Sequence, residues 1–222
     1  MGRAMIIRQR AIQAEDKLER HNAILDAAER VLLRSPELAA NVAEVAAEAG
    51  LAKGTVYLYF PGKEELLLAL HERNIEAFFD ALIDRLDQQA PVQVDDILSY
   101  THRYMIDPPL FLPMATRCLS QMGQGAAGAN ALAFKQRMGE RLARAGAGLE
   151  RHYPDLPAND GVVLLRHSYA LILGLWQLSG AEACGPVAAG TLAEVPPYST
   201  SIDDALRALW QGTIAATSRS PS

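Results

Sequence analysis

Apolar residues recur along most of this chain at the three- and four-residue spacing of a helix, and runs of Val, Ile and Thr alternating with polar residues are absent. Ile24, Ala28, Val31 and Leu32 form one such stripe and predict a first helix from about Asp16 to Arg34. Ser35-Pro36 ends it, because proline disfavours helix at the residue before it. A second helix is predicted to start at Asn41, a good N-cap, with Glu44 three residues on in the pattern of a capping box. Val42, Val45 and Ala46 form its inner side, and Ala49-Gly50 closes it with glycine at the left-handed position. A short third helix spans roughly Ala52–Tyr59, and Phe60-Pro61-Gly62 breaks the chain. A long fourth helix starts at Lys63, carries Leu66, Leu67, Leu70, Phe78, Leu82 and Leu86, and ends before Ala90-Pro91. Five more helices are predicted near Asp95–Ile106, Leu110–Met122, Asn130–His152, Asn159–Ser179 and Ile202–Thr217. Pro108-Pro109, the Gly/Ala-rich segment 123–129 and Pro154 with Pro157 punctuate them, and a long loop is expected over 180–200.

This pattern implies an all-α protein, and with 50% apolar residues in 222 there is ample material for a core. The net charge of -5 argues against a general nucleic-acid binder, but its distribution is uneven. Residues 1–63 hold 9 Lys and Arg against 8 Asp and Glu, whereas the remainder holds 12 against 18. Arg3, Arg8 and Arg10 make a basic arm ahead of an acidic body, which fits a protein that meets phosphate at one end only; a solvated tail accounts for the arm equally well. The N-terminus lacks a secretory apolar core and a myristoylation signal. Cys118 and Cys184 show no CxxC or metal-ligand spacing and read as reduced packing residues, so a cytoplasmic location is expected. Val162–Gly180 is long and apolar, but Arg166, His167 and Gln177 lie inside it, which favours a buried helix over a membrane span.

Asn41–Glu65 carries the candidate chemistry. Two short helices joined at Gly50, with Ala46, Ala47 and Ala49 allowing close approach and Leu51 and Val56 sealing a small core, satisfy the needs of a helix-turn-helix. The second helix of such a pair lies in the DNA major groove with its first residues aimed at base edges, where Lys53 and Thr55 stand. Tyr57 and Tyr59 have hydroxyls suited to phosphate oxygens, although ordinary packing is the plainer role for a tyrosine. Lys63 begins the fourth helix, whose free N–H groups and dipole also attract phosphate.

The string AGLAKGTVYLYFPGKEELL resembles the signature of the TetR family of bacterial transcriptional regulators, A-G-(V/L)-S-(K/R)-G-(T/S)-(L/V/I)-Y-x-(H/Y)-F-x-(S/N/D/G)-K-E-x-L, and the likeness covers about residues 16–70. It implies a helix-turn-helix DNA-binding domain, residues 1–62, on a larger helical ligand-binding and dimerisation domain, residues 63–222. By the same resemblance Lys53, Thr55, Tyr57, Tyr59 and Lys63 are the DNA contacts, Gly54 lets the backbone approach DNA closely, and Phe60 plugs the core. Ala52 departs from the family's serine N-cap and Gly62 from its Ser or Asp cap.

In the second domain, Val162–Leu178 is apolar on nearly every side, so it is expected to need a partner as well as a core. The resemblance assigns the last two helices to a four-helix homodimer interface, here Leu165, Ile172, Trp176, Leu206 and Trp210, which would set the two recognition helices ~34–36 Å apart. Tyr100, Arg103, Tyr104, Met105, Phe111, Met114, Arg117, Cys118, Met122, Phe134 and Met138 have the make-up of an apolar ligand pocket with a few polar anchors, or equally of core filler. An inward Arg103 or Arg117 would favour an anionic or polar-headed ligand.

Other motifs carry less. Gly123-Gln124-Gly125-Ala126-Ala127-Gly128 matches GxGxxG but follows a helix rather than a strand and lacks the acid ~20 residues on, so it reads as a loop. His102, His152 and His167 lack metal-ligand spacing, GxSxG is absent, and no cofactor or metal is expected. The expected protein is a homodimeric repressor that binds a palindromic double-stranded DNA operator and is released by a small-molecule effector. A regulator or architectural factor of the same fold without a ligand is the alternative, and a helical-bundle enzyme is the weakest reading.

Overall fold

Ala, Met, Ile, Arg and Gln favour helix, and between Ala4 and Leu33 neither glycine nor proline interrupts them. Accordingly the first helix, α1, spans Gly2–Leu33 and begins well before the expected start near Asp16. The computed structural model describes residues 2–34, 41–123, 129–182 and 198–217, without the side chains of 2–14, 121–123, 129, 180–182, 199, 216 and 217. Of the expected loop segments 123–129 and 180–200, residues 124–128 and 183–197 lie outside the described residues, while 123, 129, 180–182 and 198–200 are helical. The following helices are α2 (Val42–Glu48), α3 (Lys53–Tyr59), α4 (Lys63–Leu86), α5 (Val94–Thr101), α6 (Phe111–Gly123), α7 (Ala129–His152), α8 (Asp160–Glu182) and α9 (Tyr198–Thr217). No strand occurs among the described residues. Between α5 and α6 the helix widens into a π-helical turn, His102–Ile106, closed by Asp107 N–H to His102 O at 2.9 Å.

The chain divides into two compact units, Met1–Arg73 and Asn74–Ser222, and the division falls within α4. In the first unit, Ile24, Leu25, Ala27, Ala28 and Leu32 of α1 join Val45 and Ala46 of α2, Val56 of α3 and Leu66, Leu67 and Leu70 of α4 in burying their side chains. Charged pairs rim this core. Arg73 reaches Asp26 at 2.5 Å and Glu29 at 2.8 Å, and Arg30 and Arg34 both reach Glu48. Hydrogen bonds from Arg30 and then Arg34 hold the Glu48 carboxyl below its ordinary range.

In the second unit, α8 packs on α7 and α9. The α7–α8 approach depends on two glycines. A β-carbon on Gly161 would stand 2.3 Å from the Gly146 carbonyl oxygen, and one on Gly146 would meet the Val162 backbone nitrogen at 2.7 Å. The Gly161 N–H donates to Glu150 Oε1 at 3.1 Å. Arginines and a histidine tie α7 to the end of α4: Arg141 to Glu76, Arg144 and Arg151 to Asp87 at 2.9 Å, and His152 Nε2–H to the Leu86 carbonyl at 2.9 Å. Arg85 closes the α4–α5 connection by donating to the Ala90 carbonyl and to Asp96.

Helix α8 is not apolar-buried all round, as its composition suggests. Leu164, Leu165, Ser168, Ile172 and Leu173 are buried, while Val163, Arg166, His167, Ala170, Gln177 and Leu178 are exposed. Residues Asp160–Ser179 are long and apolar enough to cross a membrane by length and composition alone.

His71 of α4 is 1% exposed, and burial pulls its imidazole down to about 4. As pH falls from 6.5 toward 4 the unfolded chain takes up this proton before the folded one does, so folding should weaken by up to about 3 kcal/mol from this group. The stability difference between wild type and His71→Leu, followed by urea unfolding, should therefore shift against wild type across that window and stay constant above pH 7.5. A flat difference from pH 7.5 to 4.5 would contradict the burial argument.

Candidate nucleic-acid interface

Seven residues cannot hold a helix in water unaided, so the placement of α3 rests on its ends and its inner side. Upstream, α2 starts with a complete capping box. Asn41 Oδ1 accepts from Ala43 and Glu44 N–H at 2.9 Å each, and Glu44 Oε2 accepts from Asn41 N–H at 3.2 Å. It stops in a Schellman turn, with Leu51 N–H to Ala46 O at 2.9 Å and Gly50 N–H to Ala47 O at 3.1 Å. Gly50 has φ 66°, which a side chain rarely tolerates. This turn sets the crossing of α2 and α3.

Helix α3 begins at Ala52, whose methyl group offers no cap, and the first turn closes by Thr55 N–H to Ala52 O at 2.9 Å. Val56 is fully buried. Phe60 N–H caps back onto Val56 O at 2.9 Å, and the Phe60 ring, 3% exposed, lies 4.9 Å from the His21 ring of α1. Leu51 is only half-buried. With Val56 and Phe60 turned in, α3 turns Lys53, Gly54, Tyr57 and Leu58 outward, while Thr55 and Tyr59 sit half-buried at the flanks.

Lys53 Nζ stands 5.8 Å from the centre of the Tyr57 ring, a cation–π contact that gathers a charge and a phenol on one side of α3. Among the described residues neither Lys53 nor Lys63 takes part in an ion pair, in contrast to Arg30, Arg34 and Arg73 of the same unit. Nothing lies within 4 Å of where a Gly54 β-carbon would be, so the backbone there is open. Lys63 is half-buried at the first position of α4. The Glu65 carboxylate folds over Gly62, 2.8 Å from where a β-carbon would stand. An acid thus occupies the positive end of α4 that was expected to draw a phosphate, which leaves the Lys63 ammonium as the attractive group.

The residues expected to line a ligand pocket fall into two sets. Phe111, Met114, Cys118, Phe134 and Met105 are buried, and Met138 and Arg117 are half-buried. Tyr100, Arg103 and Tyr104 form a separate group: the two half-buried rings stack at 6.4 Å, and the exposed Arg103 guanidinium lies 5.4 Å from the centre of the Tyr104 ring. Arg103, in the π-helical turn, points to solvent rather than inward. The Met122 side chain lies outside the described residues.

Two residues near the buried set were not singled out by spacing. Tyr169 of α8 has its phenol pushed above its ordinary range by burial and then by Cys118 of α6. Thr116 Oγ1 of α6 is buried without a hydrogen-bond partner among the described residues. Polar residues amid apolar helical runs were the available signal for both.

Of the residues expected at a dimer interface, Leu165, Ile172, Leu206 and Trp210 are 7%, 2%, 2% and 1% exposed. They are buried within their own chain because α9 covers that side of α8, and Trp210 Nε1–H donates to Ser168 Oγ at 2.9 Å. Trp176 remains half-exposed, packed edge-on to Tyr198 at 5.7 Å. The Tyr198 hydroxyl donates to the Ile172 carbonyl at 3.1 Å, and burial pushes this phenol up to about 12. The π-helical turn also meets α9. His102 Nε2 is 2.6 Å from Asp203, and its Nδ1 is 3.5 Å from Asp107. Partial burial opposes protonation of His102, but the Asp203 and Asp107 carboxylates outweigh it and raise the imidazole above its ordinary value.

Comparison with known proteins agrees with the all-helical fold. Residues 24–70 match a family model for bacterial regulatory proteins of the tetR family, and residues 72–217 match one for a tetracyclin repressor-like C-terminal domain. A fatty acid metabolism regulator protein of Bacillus subtilis (strain 168) is 30% identical over 76 residues, which is 34% of this chain and 39% of that protein's length. Among solved structures, SmeT, the repressor of the Stenotrophomonas maltophilia multidrug efflux pump SmeDEF, shares 22% identity at a TM-score of 0.52, over 86% of this chain and 89% of its own. The TetR-like transcriptional regulator LfrR from Mycobacterium smegmatis, solved with proflavine, shares 24% identity at a TM-score of 0.52, over 88% and 97%.

The local geometry makes opposite demands at two neighbouring positions. Gly50→Ala should lower the unfolding free energy by about 1–2 kcal/mol, the penalty of a left-handed residue bearing a β-carbon. Ala52→Ser should raise it by about 1 kcal/mol by supplying the missing cap. Urea melts followed by helical circular dichroism test both, and a neutral Gly50→Ala would refute the turn geometry.

Proposed function

The chain belongs to the tetR family of bacterial regulatory proteins, and on that premise we propose that it represses transcription by binding a palindromic operator as a homodimer and releases it when a small molecule binds the Asn74–Ser222 unit. The observation that carries the DNA reading is the two-sidedness of α3. Val56 is sealed into the core while Lys53, Gly54 and Tyr57 face out, with the two lysines of the segment in no ion pair among the described residues. In this reading Lys53, Tyr57, Tyr59 and Lys63 hold phosphates, Thr55 reaches a base edge from the first turn, and Gly54 lets the backbone approach.

For the dimer, burial of Leu165, Ile172, Leu206 and Trp210 within one chain shifts the proposed interface to the outer side of α8, where Val163, Ala170 and Leu178 stand exposed beside half-exposed Trp176. For the effector, the buried Phe111, Met114, Cys118 and Phe134, with the Tyr169 phenol, support an apolar ligand with a hydrogen-bonding head. The name of the Bacillus subtilis relative makes fatty acids the first probes. Helix α4 is common to both units and is the proposed carrier of the signal, with ligand favouring a state whose recognition helices no longer match successive grooves.

Selection from random duplex DNA should enrich a palindrome. Against it, Lys53→Ala combined with Lys63→Ala removes four ammonium groups from the dimer and should weaken binding and lower the slope of log affinity against log salt by about 3–4, with the sedimentation behaviour of the dimer unchanged. An unaltered slope would remove these lysines from the interface. Coupling is tested separately by titrating a fatty acid series with and without saturating operator. The operator should weaken the effector by the same factor by which the effector weakens the operator, and equal affinities in both titrations would end the release mechanism.

A further inference from the structure

Leu58 is 83% exposed, more than any other large apolar side chain described, and it stands on α3. A single exposed leucine is unremarkable on an ordinary surface. This one shares its side of a seven-residue helix with Lys53, Gly54 and Tyr57, opposite the fully buried Val56. Gly54 lies one turn before Leu58 on the same side, and the space above it is open. The outward side of α3 therefore offers a bare stretch of backbone followed by one aliphatic prong, with an unpaired ammonium and a phenol beside it. Bare backbone permits close approach, and the prong then extends beyond it.

In the DNA major groove, base edges present hydrogen-bond donors, acceptors and one apolar group, the 5-methyl of thymine. A helix with its side chains is about 10–12 Å across, which fits a groove about 12 Å wide. Resting on the DNA-binding reading above, we propose that Leu58 is a specificity residue that packs on a thymine 5-methyl group, so that each half-site prefers T·A at one position. Leu58 makes no polar contact in this role. Its contribution is discrimination between bases rather than attachment to the backbone.

The test replaces each thymine of the selected operator, one at a time, with deoxyuridine, which removes the methyl and leaves pairing and hydrogen-bonding groups intact. Wild type should lose about three- to tenfold affinity at one position per half-site. Leu58→Ala should bind the thymine and deoxyuridine forms equally at that position, while its salt slope and its affinity for unrelated duplex match wild type. Leu58→Met, which keeps an apolar tip, should restore sensitivity. Because Leu58 is 83% exposed, all variants should keep nearly the wild-type melting temperature. An enriched operator that tolerates deoxyuridine everywhere, or a Leu58→Ala protein that keeps the wild-type methyl penalty, overturns the role of Leu58 alone. Failure of wild type to enrich any duplex overturns this role together with the DNA-binding reading.

Discussion

Everything that α3 displays depends on two buried side chains. A seven-residue helix has no stability of its own in water, and its inner side consists of Val56, with Phe60 closing its end. Burial of those two, with α3 packed on α2 and Phe60 beside His21 of α1, sets the rotation of the helix about its axis. That rotation decides which residues face out. A slip of one position would bury Tyr57 and waste Lys53. The Schellman turn at Gly50 enforces the same choice from the other side, because the left-handed backbone allows one direction of exit from α2.

Charge is organised to the same end. Many arginines of both units are engaged with acids: Arg30 and Arg34 with Glu48, Arg73 with Asp26 and Glu29, Arg85 with Asp96, Arg144 and Arg151 with Asp87, and Arg207 with Asp95. Exposed pairs of this kind add little stability each. Their more important effect is to cancel local fields, so that an acidic chain still presents unpaired ammonium groups at Lys53 and Lys63. The family to which the chain belongs comprises transcriptional regulators rather than enzymes.

Most of the fold was legible in the sequence, because local rules govern it. Helical periodicity located the helices, Asn41 with Glu44 signalled the capping box, Gly50 signalled the left-handed turn, and prolines signalled the breaks. The early start of α1 was missed because residues 4–14 lack a strong apolar stripe, although their helix propensity is high. The π-helical turn at His102–Ile106 leaves no mark in periodicity. Within it Arg103 is exposed and Tyr104 half-buried, whereas Phe111 and Met114 of α6 are buried.

By itself the sequence determined which stretches are helical, that Asn41–Glu65 forms a helix-turn-helix, and which side chains there suit phosphate, because caps, turns and spacing act over a few residues. Only the tertiary structure decided what covers each apolar side. Periodicity shows that α8 and α9 are apolar but not whether Leu165, Ile172, Leu206 and Trp210 meet their own chain or another. Packing of α9 on α8 settled that they meet their own. The same packing logic left Leu58 in solvent, a leucine that the sequence alone does not distinguish from its buried neighbours.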